Sequence, residues 1–328
     1  SRIPVGKFKI GRIAFERQAH LTNSVNGDPY ISDPEWARRE KIVSFAGYPL
    51  VTSDRLVGVV AMFSRKPLND FVIRALASAS DIIALGIDRK HAEQIRLTNL
   101  HYFESMNKIS TVINQTMDIT LMVKNVVDAI RTVFTCDHVF ISYPCDPTVR
   151  SMVLQFESEG NEYHISHNEL VKFPEAMENV QKDIQILLNS KEPVMFNMTE
   201  NVGNAYIEFL KGMLSVRSLM ITAVHPRIGK PWMVGLLQCS HVREWTSDEQ
   251  RLCKDISNKI SDALTNILLY RDLQLSEDKY RTLLENLPQQ IFYKDKNSVY
   301  VSCNENYARD LKVTPDEIVG KTDYDFFP

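Results

Sequence analysis

Leu56-Val57-Gly58-Val59-Val60-Ala61 and Trp232-Met233-Val234-Gly235-Leu236-Leu237 are two apolar runs, each built around a glycine, and the glycines lie 177 residues apart. Carried forward by that offset without a gap, Leu68 falls on Trp245, Ala75 on Leu252, Ala79 on Ile256, Ile83 on Ile260 and Ile87 on Leu264. A register that holds through a strand and the helix after it is the signature of one unit present twice. Residues 49–90 and 226–267 each read as a strand pair, a capped turn and a long amphipathic helix. The expectation is a tandem array of small modules rather than one large enzyme fold.

Working outward from the first copy, Gly47-Tyr48-Pro49-Leu50 and Val57–Phe63 read as strands joined by a turn at Ser53-Asp54, and Asn26-Gly27-Asp28-Pro29 and Ser32-Asp33-Pro34 mark loops. A helix follows from about Asp70 to beyond Arg89, with Leu76, Ala79, Ile83 and Ile87 on one face. It has no stop signal, because residues 88–115 contain neither proline nor glycine. Tyr102, Met106, Ile109 and Ile113 continue a heptad-like seam, which is expected to pair two copies of the chain as a parallel dimer; packing on its own domain is the other reading of such a stripe.

Around the second copy, Leu121, Met122, Val126, Ala129, Ile130 and Val133 define an amphipathic helix, and Val139–Tyr143, Met152–Phe156, Leu219–Val224 and Trp232–His241 read as strands. Between them, 160–216 is polar and irregular, with short helical pieces around Met177–Leu188 and Ala205–Leu214. Thr246-Ser247-Asp248-Glu249 is a capping box opening the helix of Leu252, Ile256, Ile260, Leu264 and Ile267. From about Ser276 a third module begins. Tyr280, Leu283, Leu284 and Leu287 form a helical face stopped by Pro288, and a hairpin crosses Asp295-Lys296-Asn297-Ser298. Asn304–Leu311 and the stretch after Thr314-Pro315-Asp316-Glu317 are short helices.

The composition is that of an ordinary globular chain: 328 residues, 44% hydrophobic, 24% charged, formal net charge −3. It offers no basic field for nucleic acid and no apolar run near the roughly 20 residues that cross a bilayer. The cysteines Cys136, Cys145, Cys239, Cys253 and Cys303 have no C-x-x-C spacing, so neither a disulfide framework nor a structural zinc site is expected, and a cytoplasmic location follows. Walker, H-E-x-x-H and Gly-x-Ser-x-Gly motifs are missing, so no catalytic residue is expected in this chain. Both ends are expected to be cut inside domains.

Ser44-Phe45-Ala46-Gly47-Tyr48-Pro49-Leu50, the Gly58 strand and Ala84-Leu85-Gly86-Ile87-Asp88-Arg89-Lys90, with Trp36-Ala37 upstream, resemble the C-terminal half of a GAF domain from bacterial or archaeal sensor proteins. Pro231-Trp232-Met233-Val234-Gly235-Leu236-Leu237-Gln238-Cys239-Ser240-His241 is similar to a second, complete GAF domain. Tyr280-Arg281-Thr282-Leu283-Leu284-Glu285-Asn286-Leu287-Pro288, Asn304-Glu305-Asn306-Tyr307-Ala308 and Ile318-Val319-Gly320-Lys321-Thr322-Asp323-Tyr324-Asp325-Phe326-Phe327-Pro328 resemble the start of a PAS domain. The resemblance implies an α+β fold class: tandem GAF folds, each a central antiparallel sheet of five or six strands flanked by helices, joined by long helical linkers and followed by a truncated PAS module. The implied division is a GAF domain over 1–92 lacking its N-terminal part, a helical linker over 93–109, a complete GAF domain over 110–272, and a signalling helix with the N-terminal half of a PAS domain over 273–328.

Such modules serve as sensory inputs to histidine kinase or nucleotide-cyclase outputs. The implied function is a sensory input region that detects a small ligand or redox state and relays it through helices to an output domain, a histidine kinase above all, in the same polypeptide. The alternatives are a ligand-free dimerisation and relay module, and a haem-carrying redox or gas sensor. The expected partners are a second copy of the chain, the downstream output domain and a small-molecule ligand.

Cys239 and His241, two apart on the expected strand, share a face and carry a sulfur and an imidazole able to hold haem iron or a transition metal; the plainer reading is a small buried hydrophobe and a strand-end residue. Tyr143 and Cys145, in Tyr143-Pro144-Cys145-Asp146-Pro147, border the expected cavity, where Cys145 is a candidate thiol sensor or part of a proline-stiffened turn. His225 is a further ligand candidate or a strand-end residue, and His164 and His167 are expected in a solvated loop. Bilin and cyclic-nucleotide ligands are disfavoured, since neither a Cys-His dipeptide nor an N-K-x-F-D-E constellation is present.

Overall fold

The computed structural model describes residues 3–146, 151–157, 169–172, 178–198, 203–213 and 215–327. They fall into two compact units, Ser1–Phe103 and Glu104–Pro328. His164, His167 and Pro147 lie outside the described residues.

In the first unit the order is α1 (Phe8–Glu16), β1 (His20–Thr22), α2 (Pro34–Arg39), β2 (Ser44–Thr52), β3 (Arg55–Ser64) and the start of α3 (Asp70–Ile113). Asp33 and Pro34 begin α2 as helix-start chemistry requires, with the Asp33 carboxylate accepting from the Trp36 N–H at 2.8 Å. The β2–β3 turn places Ser53 and Asp54 both at positive φ (45° and 64°), the geometry that matches the twist of a tight hairpin. Strands β1, β2 and β3 form an antiparallel sheet in that order. One face of it packs Phe45, Val59, Ala61 and Phe63 against Ile13, Val25, Ile31, Ala37 and Ile42. From the other face the Tyr48 hydroxyl donates to the Ile73 carbonyl of α3 at 3.2 Å.

Helix α3 runs unbroken for 44 residues, with Gly86 inside it and neither proline nor glycine from 88 to its end. Residues 104–113 belong to the second unit, which continues with α4 (Ile119–Phe134), β4 (His138–Tyr143), β5 (Ser151–Glu157), β6 (Glu169–Lys172), α5 (Glu178–Asn189), β7 (Val194–Asn197), α6 (Ala205–Met213), β8 (Ser218–Val224), β9 (Trp232–Gln238) and α7 (Ser247–Asn286). The six strands form one antiparallel sheet in the order β6-β5-β4-β9-β8-β7. Phe140, Leu219, Ile221, Met233 and Leu237 pack on one face against Val180, Ile184 and Leu187 of α5 and Tyr206 and Ile207 of α6. Helices α4 and α7 cover the other face. Met122, Val126, Ala129 and Ile130 of α4 are buried as expected, whereas Leu121, expected on the same face, is exposed.

The repeat is visible in the topology. Elements α1-β1-α2-β2-β3-α3 and α5-β7-α6-β8-β9-α7 follow in the same order, and β1-β2-β3 and β7-β8-β9 have the same neighbours. The offset of 177 holds at the helices: α3 starts at Asp70 and α7 at Ser247. Their caps correspond too, with Asn69 accepting from the Val72 N–H at 3.0 Å and Thr246 from the Glu249 N–H at 3.2 Å.

In the strands the offset fails. Gly58 stands opposite Leu50, on the face from which Tyr48 reaches α3. Gly235 stands opposite Phe140 and Ile221, on the face under α5 and α6. The two glycines therefore point to opposite faces, which a slip of one residue in a period-2 structure produces. The segments between strand and helix, 65–69 and 239–246, differ in length and absorb the slip.

The matched helical stripes are also buried to different degrees. Leu252, Ile256, Ile260 and Leu264 are buried beneath six strands, whereas Ile83, beside three strands, is exposed and Ala79 and Ile87 are half-buried. Of the seam expected along α3, Ile109 and Ile113 are buried within the second unit, so a second copy cannot use them without unpacking it.

At the end of the chain β10 (Phe292–Lys294) and β11 (Tyr300–Cys303) form a hairpin, followed by α8 (Glu305–Asp310), α9 (Pro315–Ile318) and α10 (Asp323–Phe326). Tyr300, Cys303, Ala308 and Ile318 make a small core with Tyr307, Leu311, Val313 and Phe326 around it.

Candidate functional site

The second unit carries the five residues singled out in the sequence, and it separates them. Strand β9 ends at Gln238, so Cys239 and His241 do not lie on a strand, contrary to the expectation. The cause is Asp137, just before β4. One oxygen of its carboxylate accepts from the Cys239 N–H at 2.7 Å, the Ser240 N–H at 2.7 Å and the Gln238 side-chain amide at 2.8 Å, which draws the backbone off the ladder into a turn. Burial works against ionisation of Asp137, but the N–H groups of Ser240 and Cys239 outweigh it and hold the carboxyl below its usual range. Arg243 completes this corner, donating to the carbonyl oxygens of Phe134 (2.8 Å) and Thr135 (3.2 Å), pairing with Glu249 at 2.5 Å and lying over the Trp245 ring at 4.3 Å. His241 is exposed with its Nδ1 3.0 Å from the Ser240 hydroxyl, while Cys239 packs half-buried against the core under α5 and α6.

Tyr143, Cys145 and His225 sit at the other end of the strands. Antiparallel pairing sets Ser142 beside Met233 and Val224 beside Trp232, at the start of β9. Its seven residues, at about 3.3 Å each, put roughly 20 Å between the two corners. The Tyr143 ring stacks on Trp232 at 4.2 Å and 25°. The His225 Nε2 lies 2.9 Å from the Leu188 carbonyl and its own carbonyl accepts from Ser261 at 2.5 Å, tying α5, β8 and α7 together.

Cys145 is fully buried, its sulfur 3.1 Å from the Ser142 hydroxyl and 3.3 Å from the Ser142 carbonyl. Ser142 also hydrogen-bonds the hydroxyl of buried Tyr206 from α6, whose ionisation burial suppresses. Ser142, Cys145 and Tyr206 thus form a polar knot inside an otherwise apolar layer. Sequence reading missed Tyr206 and Asp137, because each acquires its partners only when β4 meets α6 or the end of β9.

Burial pushes the thiols of Cys136, Cys145 and Cys253 up to about 12 and that of Cys239 up to about 11. At neutral pH they are protonated, so none is a ready nucleophile or metal ligand. Among the described residues no three His, Cys, Asp or Glu side chains converge as a metal site. A thiol whose folded pKa is raised leaves stability intact below its unfolded value near 8.5 and removes it as the pH climbs towards 12. Urea unfolding is therefore expected to weaken steadily from about pH 9 to pH 11, by up to about 1.4 kcal/mol per unit for each of the buried thiols of Cys136, Cys145 and Cys253 and by less for the half-buried Cys239, with a shallower fall in Cys253→Ala. A stability that stays level over that range would contradict the burial of these sulfurs.

The first unit holds a feature with no sequence signature. Lys9 is buried, with its ammonium 2.5 Å from the Asp28 carboxylate and 5.1 Å from the Phe45 ring centre. Beside it Phe8, Tyr30, Trp36, Phe45 and Phe63 line a recess of about 40 Å3, room for about one water. In the last segment the Tyr300 hydroxyl lies 2.6 Å from that of Tyr307 and donates to Asp323 at 2.7 Å, while Lys294 pairs with Asp323 at 2.5 Å and covers the Tyr300 ring. Neither group holds a nucleophile set against a base.

Residues 1–87 match the model of the GAF domain, and residues 284–328 match that of the PAS fold. Both are sensory modules of signalling proteins. No curated protein matches the sequence. Among solved structures the chain is similar to the phycoerythrobilin-bound GAF domain from a cyanobacterial phytochrome (15% identity, 52% of this chain and 97% of that chain, TM-score 0.43). It is also similar to a GAF domain from A. aeolicus in an inactive state (13% identity, 53% and 99%, TM-score 0.36), and to the GAF domain of a two-component sensor histidine kinase from Bacillus halodurans (12% identity, 47% and 99%, TM-score 0.36). No helix among the described residues is long and apolar enough to cross a membrane.

Proposed function

We propose that this chain is the sensory input region of a cytoplasmic signal-transduction protein, with two GAF-type units in tandem, a PAS segment after them, and helices that relay their state to an output domain, a histidine kinase above all. One observation carries the relay: α7 closes the six-stranded unit with Leu252, Ile256, Ile260 and Leu264 and then continues without a break to Asn286, inside the segment that matches the PAS fold. A change in how the sheet packs on the first half of such a helix displaces the second half as a rigid rod.

The signal is a small ligand rather than a thiol redox change, because the cysteine sulfurs with strongly raised pKa values stay protonated at neutral pH. The Ser142–Cys145–Tyr206 knot is the proposed contact, since a ligand's polar group can exchange for one of its internal hydrogen bonds. A haem version is disfavoured by the roughly 20 Å between the Cys239–His241 and Cys145–His225 corners.

A second reading, a ligand-free relay and dimerisation module, is favoured by the layer under α5 and α6, where Phe140, Ile184, Tyr206 and Met233 are all buried against one another. A thermal-shift screen of small molecules, run with an absorption spectrum from about 350 to 700 nm, separates the readings. A compound class that raises the melting temperature supports the sensor, and Tyr206→Phe should weaken it by about tenfold, the worth of one buried hydrogen bond. Silence across the screen supports the relay, and a Soret band restores haem.

A further inference from the structure

Lys259, Asp262 and Asn266 lie three and four residues apart on α7, which sets them on one side of the helix. Ser110 and Asn114 stand four apart at the end of α3. The two sets line a recess of about 170 Å3 that lies within the second unit. Buried Ile113 and half-buried Ala263 form its apolar part. Its volume is slightly above the roughly 150 Å3 that accepts a six-carbon ring.

The polar groups of this recess are not used up by one another. Among the described residues the Lys259 ammonium and the Asp262 carboxylate enter no ion pair, and the side-chain amides of Asn114 and Asn266 enter no hydrogen bond. Lysine ahead of an acid is the less favourable order for pairing along a helix, so the two charges stay apart. Ser110 donates its hydroxyl to the Met106 carbonyl at 2.7 Å, which leaves its oxygen able to accept.

We infer that this recess binds a small zwitterion, an α-amino acid with its carboxylate on Lys259 and its ammonium on Asp262. The charges select the ligand. An anion alone would satisfy Lys259 and bring a like charge against Asp262, and a cation alone would do the reverse. A neutral molecule would leave both charges without a counterion. A molecule carrying both charges a few ångströms apart answers the pair, whose Cβ atoms are about 5–6 Å apart at this spacing. Asn114, Asn266 and the Ser110 oxygen then meet a small polar side chain. The site is separate from the Ser142–Cys145–Tyr206 knot, which belongs to the layer under α5 and α6, whereas α7 covers the opposite face of the sheet. A molecule held here ties the end of α3 directly to α7.

Amide shifts of the isotope-labelled full chain, followed while glycine is added from about 0.1 to 50 mM, test the assignment. The expected result is saturable shifts at 110–114 and 259–266 with a dissociation constant of about 1 mM, since both charged contacts are open to solvent. Lys259→Gln and Asp262→Asn should each weaken binding about tenfold, and acetate or methylammonium, with one of glycine's charges apiece, should bind about tenfold more weakly than glycine. The exchanged pair Lys259→Asp with Asp262→Lys should restore binding to within about threefold, because a zwitterion can turn end for end. Both positions are exposed, so these replacements leave the fold intact, which circular dichroism checks. Tyr206→Phe, at the knot, should change nothing. Shifts that rise linearly throughout, acetate or methylammonium binding as well as glycine, or an exchanged pair as weak as the single variants would each overturn the site. Shifts lost in Tyr206→Phe and kept in Lys259→Gln would move the amino acid to the knot, overturning this site while supporting the sensor reading. Recess shifts that follow protein concentration and not glycine would give the recess to a second copy of the chain and overturn it as well.

Discussion

Gly235→Ala is expected to destabilise the six-stranded unit by about 3 kcal/mol, lowering its melting temperature by roughly 6–12 °C. A Cβ placed there would lie 2.2 Å from Cε1 and 2.3 Å from Cζ of Phe140, whose ring lies flat across the glycine from the neighbouring strand. Phe140 is fully buried, with Leu219, Ile221 and Leu237 in the same core, so the ring has nowhere to retreat. Phe140→Leu should recover part of the loss in the double variant, a coupling that only residues in contact produce. Gly58→Ala makes the contrast. Its nearest neighbour is the end of a flexible leucine, Leu50 Cδ1 at 3.3 Å, and restricting the unfolded chain offsets that crowding, so a change within about 1 kcal/mol is expected. Equal losses at the two glycines, measured by thermal unfolding, would refute the assignment of Gly235 and Gly58 to opposite faces.

Asp137→Ala should cost about 3 kcal/mol, because it strips the Cys239 and Ser240 amides of their charged acceptor at the turn that ends β9. The effect is pH-dependent with a definite sign. The carboxyl is held below its usual range when folded, so its contribution is fully present above the unfolded value near 3.9 and disappears as the pH falls below it. The stability gap between wild type and Asp137→Ala should therefore narrow as the pH is lowered from about 5 to about 3. A gap that stays constant would mean that the side chain acts by packing rather than as an anion.

What the sequence discloses here depends on range. Helix periodicity, the Thr246–Glu249 capping box and the long stretch free of proline and glycine are local signals, and α3 and α7 follow them closely. The repeat is legible in the helices, where a continuous offset survives. It misleads in the strands, where matching glycines conceal a shift that only strand pairing exposes. Cys239 and His241 look like neighbours on a strand until Asp137, about a hundred residues earlier, claims the backbone between them. Likewise the heptad on Tyr102, Met106, Ile109 and Ile113 is real as a spacing, yet burial gives two of those residues to the chain's own core. The polar knot of Ser142, Cys145 and Tyr206 leaves no local pattern, since its members come from β4, the turn after it and α6.

Hydrogen exchange along α7 tests the central claim, that this helix carries the state of the sheet to the segment beyond it. With a compound from the thermal-shift screen bound, amides from 268 to 286 should change their exchange rates together with those of β8 and β9. Binding that slows exchange in the sheet and leaves 268–286 unchanged would contradict the relay.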